Sequence, residues 1–251
     1  MSNVAERIAE NVALVRRRIA AAAARSGRAA DAVTLVAVTK YVPIDAARSL
    51  VTLGCHDLGE SRPQQLWQRA AELADLPIRW HMIGHLQRNK AARTLPLVSM
   101  IHSVDRQRLL AAIDAELASP SAARRAIEGQ ISDFPRSRFE PVSGALPVLL
   151  EVNVSGESAK HGFSPGDIEP LLAGLAGYRN VSVRGLMCMA GLEGDRETAR
   201  REFASLRELR DRLRPRCPPE VALDELSMGM SGDFEVAIEE GATIVRVGSA
   251  L

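Results

Sequence analysis

Lysine is scarce in this sequence: Lys40, Lys90 and Lys160 are the only lysines among 32 basic residues, and the rest are arginines. Arginine therefore supplies the ordinary positive charge, and each retained lysine calls for a separate reason. Cysteine is equally sparse. Cys55, Cys188 and Cys217 are odd in number, far apart and without CxxC spacing, which disfavours a disulfide framework and a thiolate zinc site and fits a reducing cytoplasm. No stretch approaches the roughly 20 apolar residues of a membrane span, and the N-terminus lacks a continuous apolar signal core. Its Arg- and Ala-rich start has the flavour of a transit peptide, but Glu6 and Glu10 argue against one. A net charge of +1 and a pI near 7.8 give no general attraction to nucleic acid or anionic lipid. What remains is an ordinary soluble globular composition, 46% hydrophobic and 25% charged over 251 residues, enough for one large domain or two small ones.

The positive pattern is a regular alternation. Val4, Ile8, Val12, Val15 and Ile19 recur at helical spacing and predict one amphipathic helix over 3–25, ending near Gly27. Strands follow at 33–39, 55–59, 79–84, 98–103, 147–154, 181–187, 222–227 and 243–248. The helical segments between them lie near 44–53, 62–74, 87–94, 105–118, 165–176, 195–213 and 232–240. Eight strands and seven intervening helices is the count for a single α/β domain over 1–251, a (β/α)8 TIM barrel; a doubly wound open sheet is the alternative. Too few residues follow the last strand for an eighth outer helix, so the N-terminal helix is expected to pack outside strands one and eight. Residues 119–146 carry Pro, Ser, Gly and Arg without periodicity and are expected to form a surface loop.

In a barrel the active site lies at the C-terminal ends of the strands. VTLVAVTK, Val33 to Lys40, ends there in a lysine. An amine, unlike a guanidinium, can lose its proton when desolvated and condense with an aldehyde. If it is desolvated in the pocket, free Lys40 is expected to titrate below the ordinary lysine value of about 10.4. LSMGMSGD over 226–233 and VRVGSA over 245–250 put small and hydroxyl residues after strands seven and eight, where barrels of this kind bind phosphate. The competing reading is that Ser231 caps a helix and the glycines serve turns. Arg246 lies between two valines in a strand that should be buried, and alternation puts it on the face of Ile244 and Gly248. It needs a polar partner, either a carboxylate such as Glu151 or a ligand acceptor. His81 and His85 have a four-residue spacing, but HExxH is absent and Gly84 interrupts the stretch, so they are read as polar residues at the mouth of strand three with no metal. His102, Asn153 and Glu60 stand at expected strand ends, and Met187, Met189, Met228 and Met230 suggest an apolar, adaptable wall.

An aldehyde-reactive lysine, a phosphate cradle and an arginine between them match pyridoxal 5′-phosphate. The segments LVAVTK, HDLGESRPQQL, WHMIGHLQRNK, IHSVD, LLEVNVSGESAKHGF, VRGLMCMA and ELSMGMSGDFEVAIEEGATIVRVGSA together resemble the pyridoxal phosphate homeostasis protein family, YggS/PROSC-like, over nearly the whole chain. The resemblance implies a barrel like the N-terminal domain of alanine racemase, without the racemase's additional β domain, holding the cofactor as a Schiff base on Lys40. It implies that Ser227, Gly248 and Ser249 hold the phosphate and that Arg246 faces the pyridine nitrogen, keeping it unprotonated and weakening the electron sink. Met228, Asn153 and His85 complete the expected cofactor-binding set. It further implies a monomeric, non-catalytic carrier that buffers the cofactor or delivers it to apo-enzymes, affecting vitamin B6 and amino-acid balance. Two departures stand out: Ser61 replaces an Asn that many members carry, and the family's Phe-Gly ending does not follow Leu251, which suggests a shortened tail. The alternative is an amino-acid racemase with Lys40 as one base. That needs a second acid/base on the opposite face, and the only tyrosines are Tyr41, expected by alternation to point away from Lys40, and Tyr178, before strand six.

Overall fold

Why the chain closes into a barrel is visible in its strand pairing. The computed structural model describes residues 4–119, 144–157, 160–191, 195–219 and 221–251. The strands are β1 (Thr34–Val38), β2 (Asp57–Glu60), β3 (Arg79–Met82), β4 (Met100–Val104), β5 (Leu146–Glu151), β6 (Val181–Met187), β7 (Glu225–Ser227) and β8 (Ile244–Val247). They pair in chain order, all in parallel, and β8 returns to β1 with Thr34 opposite Ile244 and Val36 opposite Arg246. That pairing leaves no free sheet edge and decides for the (β/α)8 barrel over the open sheet. Helices α2 (Ile44–Thr52), α3 (Pro63–Glu72), α4 (Arg88–Thr94), α5 (Gln107–Leu117), α6 (Pro165–Leu175), α7 (Arg196–Leu213) and α8 (Phe234–Glu239) each carry the chain back between consecutive strands.

Strand alternation divides the apolar residues into two cores. Val36, Met100, Leu149, Met187 and Ile244 point inward and fill the barrel with Ile83, while their neighbours Ala37, Ile101, Val148, Leu186 and Val245 face the helices. Helix α1 (Val4–Arg25) buries Ile8, Val12, Val15 and Ile19, each worth about 1.5–3 kcal/mol of apolar transfer. It packs where an eighth outer helix would lie. Arg18 and Arg25 pair with Glu235 and Glu239 of α8 at 2.8 and 2.6 Å, and Arg28 donates to the carbonyls of Ile238 and Ala242. Many of the arginines work in this outer layer: Arg200 bridges Glu239 and Glu240, and Arg207 also reaches Glu240.

Several boundaries differ from expectation for local reasons. β2 begins at Asp57 because Cys55 still closes α2, its N–H donating to Leu50. β4 begins at Met100 because a 3₁₀ turn over Leu95–Leu97 delays the extended run. α8 begins at Phe234 instead of Gly232, since the Asp233 carboxylate accepts the Met230 N–H at 2.5 Å and holds 231–233 as a turn. Most of the loop expected over 119–146 lies outside the described residues. No helix among those described is long and apolar enough to cross a membrane.

Candidate binding site at the barrel mouth

Lys40 follows β1 at the C-terminal end of the barrel. Thr39 is fully buried and turns its hydroxyl to Glu60 Oε1 at 2.6 Å, and the chain then leaves the barrel through Tyr41, whose φ of 63° is left-handed. Lys40 is exposed, because the turn begins one residue after the last buried position. Its amine makes no hydrogen bond or ion pair among the described residues. Strand alternation ends at Val38, so it does not govern Tyr41, which is 74% exposed. Beside them, Arg69 Nε reaches Glu60 Oε1 at 3.0 Å, but the buried Oε2 of Glu60 has no partner among the described residues. Burial raises the Glu60 carboxyl, against the lowering pull of Thr39, Arg69 and Lys40.

The adjoining wall is built by β7 and β8. Arg246 points inward, 4% exposed, and donates to Ser227 Oγ at 2.6 Å and to the Cys188 carbonyl at 2.9 Å. It forms no ion pair among the described residues. The Glu151 alternative is thus not realised: burial, then Asp105, pushes Glu151 up to about 7, with Arg246 acting only at a distance in the lowering direction. Ser231 does not cap α8; its hydroxyl accepts the Gly248 N–H at 3.1 Å and ties the β7 loop to the β8 loop. Gly229 has φ +92°, and a Cβ there would lie 2.5 Å from Ala237 Cβ. Gly248 is half-buried and Ser249 exposed at the end of β8. Backbone and hydroxyl groups therefore converge on one rim, facing Lys40 across the β1–β8 seam.

Three of the expected residues are otherwise engaged. Met228 is fully buried in the outer core and its N–H donates to the Ile244 carbonyl, so it turns away from the mouth. Asn153 spends its side chain within its own loop, donating to the Glu157 carbonyl at 2.8 Å and accepting from Ser155 and Gly156. His85 bonds Asp105 at 3.0 Å and stacks on His161 with ring centroids 4.4 Å apart. His85, Asp105 and His161 bring one ligand atom each within 4.8 Å of one another, but Arg106 already holds Asp105 through both oxygens. The four methionines do not form one wall: Met187 faces the barrel interior, Met228 the outer core, and Met189 is 40% exposed. His81 and His102 lie not at the mouth but fully buried beneath it, on inward positions of β3 and β4. Sequence reasoning missed the hydrogen bond between His81 Nδ1 and His102 Nε2, at 2.9 Å, and the Ser231 tie; the signal was a set of polar residues at inward positions of several strands.

The sequence matches the family model described as alanine racemase, N-terminal domain, over residues 6–251. It is 39% identical over 244 residues to the pyridoxal phosphate homeostasis protein of Pseudomonas aeruginosa, covering 97% of this chain and 94% of that one. The chain belongs to the pyridoxal phosphate homeostasis protein family. PipY of Synechococcus elongatus superposes with a TM-score of 0.80 without PLP and 0.76 with PLP bound, at 32% identity, covering 97% of this chain and 99% of PipY. Alanine racemase of Corynebacterium glutamicum shares the fold alone, at 13% identity and a TM-score of 0.65; the match takes in 98% of this chain but 60% of the racemase. This chain thus covers nearly all of PipY but only part of the racemase.

Proposed function

We propose that this chain, as one unit over residues 1–251, binds pyridoxal 5′-phosphate at the barrel mouth and carries it through Lys40 as a monomeric, non-catalytic buffer or donor for apo-enzymes in the cytoplasm. One observation carries the reading: Arg246 is a buried guanidinium with neutral acceptors and no carboxylate partner among the described residues, so it suits a neutral ring acceptor. The donor set around it fits the rest of the group. Lys40 offers an uncommitted amine, and on the phosphate side Ser249 is exposed, while the Gly248 N–H and the Ser227 hydroxyl already hold Ser231, His102 and Arg246 and would share those bonds with a phosphate. When bound, the cofactor supplies an aldehyde carbon and an electron-accepting ring. The chain's part is to hold it: Arg246 keeps a positive charge at the ring nitrogen and so withholds a proton from it, which weakens carbanion chemistry.

The racemase reading needs a second acid/base facing Lys40 across the ligand. Tyr178 precedes β6 and so lies at the end of the barrel opposite Lys40, and Tyr41 is exposed beside it in the chain. Neither is placed for that role. The test is to load the protein with pyridoxal phosphate, record its visible spectrum, reduce with borohydride and map the labelled peptide. Label on Lys40 is expected; label on Lys90 or Lys160, or no visible band, overturns the assignment. Alanine or serine racemisation on the order of 1 per second or faster overturns the carrier role.

A further inference from the structure

A hydrogen-bonded file of side chains crosses the barrel beneath the proposed cofactor site. Asp57, at the start of β2, accepts Arg79 Nε at 2.8 Å and Nη2 at 2.5 Å, and its Oδ1 lies 3.0 Å from His81 Nε2. His81 Nδ1 lies 2.9 Å from His102 Nε2, with the rings edge-on. His102 Nδ1 lies 2.8 Å from Ser227 Oγ, which accepts from Arg246 at 2.6 Å. His81, His102 and Ser227 are fully buried, and Asp57 is 8% exposed.

The chemistry of the two ends orients everything between. A carboxylate only accepts and a guanidinium only donates. Burial works against the charge on Asp57, but the hydrogen bonds from Arg79 and His81 outweigh it and hold the carboxyl well below the usual range. An ionised Asp57 therefore accepts a hydrogen bond from His81 Nε2–H. Neutral His81 must then accept at Nδ1, which makes His102 the donor through Nε2. His102 accepts at Nδ1 in turn, so the Ser227 hydrogen points to His102 and its oxygen stays open to Arg246.

We propose that Asp57, His81 and His102 form a proton relay that sets the direction of the Ser227 hydroxyl, with both imidazoles in the Nε2–H form, making His81 and His102 positioning residues for the site. One added proton reverses the file. With His81 carrying both N–H groups, His102 donates from Nδ1 to Ser227, and the Ser227 hydrogen is released as a donor toward the mouth. No proton is lost or created apart from the one taken up. The charged groups around the file are Arg79 and Asp57 below, Arg246 above, Glu225 buried two residues before Ser227 on the same face of β7, and, at longer range, Asp233 and Glu151 acting on Arg246 and Asp105 acting on Glu151. Burial, then the neighbouring His81 and Arg246, holds His102 well below the ordinary imidazole value, which favours the neutral file at rest.

The relay stands on the chain's own geometry; its effect on a bound chromophore rests on the reading of the preceding subsection. The first test needs no ligand. Long-range ¹H–¹⁵N correlation spectra of the full chain, well above the ordinary imidazole value of about 6.5, should show His81 and His102 as Nε2–H tautomers, assigned with His56→Gln, His85→Gln and His161→Gln. Nδ1–H signals from either buried histidine would overturn the relay. Asp57→Asn, whose amide can donate to His81, should move both histidines toward Nδ1–H; unchanged tautomers in the folded variant would also overturn it. If that variant does not fold, the wild-type spectrum still decides. In the pyridoxal phosphate complex, the same substitution should shift the pH profile of the visible band, whereas a purely structural Asp57 would leave it in place and refute the coupling to the site. Absence of any band with the tautomers as expected would sink the cofactor reading and leave the relay standing.

Discussion

The two halves of the barrel mouth are built on different principles. On the β7–β8 side the hydrogen bonds are closed before any ligand arrives: Arg246 holds Ser227 and Cys188, and Ser231 holds Gly248. On the β1–β2 side they are open: the Lys40 amine is exposed and Glu60 Oε2 is buried without a partner among the described residues. On the reading proposed above, the first half is scaffold and the second is reagent. A phosphate and a ring need fixed donors, and fixed donors need a rigid loop; an amine that must reach an aldehyde and release it again is better left mobile.

If the contrast is right, substitutions should cost stability on one side and function on the other. Arg246→Ala should cost the most, about 2–5 kcal/mol, because it opens a cavity and leaves buried polar groups at Ser227 and Cys188 without their donor; denaturant unfolding measures it. Gly229→Ala follows at about 1–3 kcal/mol, since a Cβ at φ +92° would collide with Ala237 and Phe234.

Glu151→Gln should act through pH. The folded carboxyl is pushed up to about 7, above its unfolded value, so between about pH 4.5 and 7 the folded state holds a proton that the unfolded state has lost. Unfolding free energy should therefore fall more steeply across that window in the wild type than in the variant, leaving the variant more stable above it by on the order of 1–3 kcal/mol. Unfolding measured at both ends of the window checks the sign. Lys40→Ala should change stability least, within about 0.5 kcal/mol, while eliminating borohydride-fixed cofactor and leaving reversible, phosphate-driven binding. A large loss of stability at Lys40, or none at Arg246, would erase the contrast between the two sides.

Much of this was legible in the chain. The period-two and helical runs identified all eight strands and the helices described between them, and the single lysine at the end of β1 marked the mouth because so few other lysines compete for notice. The inward direction of Arg246 followed from alternation with Ile244 and Gly248. Alternation does not reach Tyr41, where the strand had already ended, and it turns Met228, one step past the inward Ser227, to the outer core. Asn153 and His85 have the right chemistry at the right end of their strands, but local loop contacts consume them.

Sequence alone determined the repeating unit, the family and the residue types at the mouth, because periodicity and local motif are properties of neighbouring positions. Tertiary structure decided closure, since only the pairing of β8 with β1 separates a barrel from an open sheet. It also decided the partners of Arg246 and the file from Asp57 to Ser227. Those contacts join residues on β2, β3, β4, β7 and β8 that lie far apart in the chain, and only the barrel interior brings them within hydrogen-bond distance.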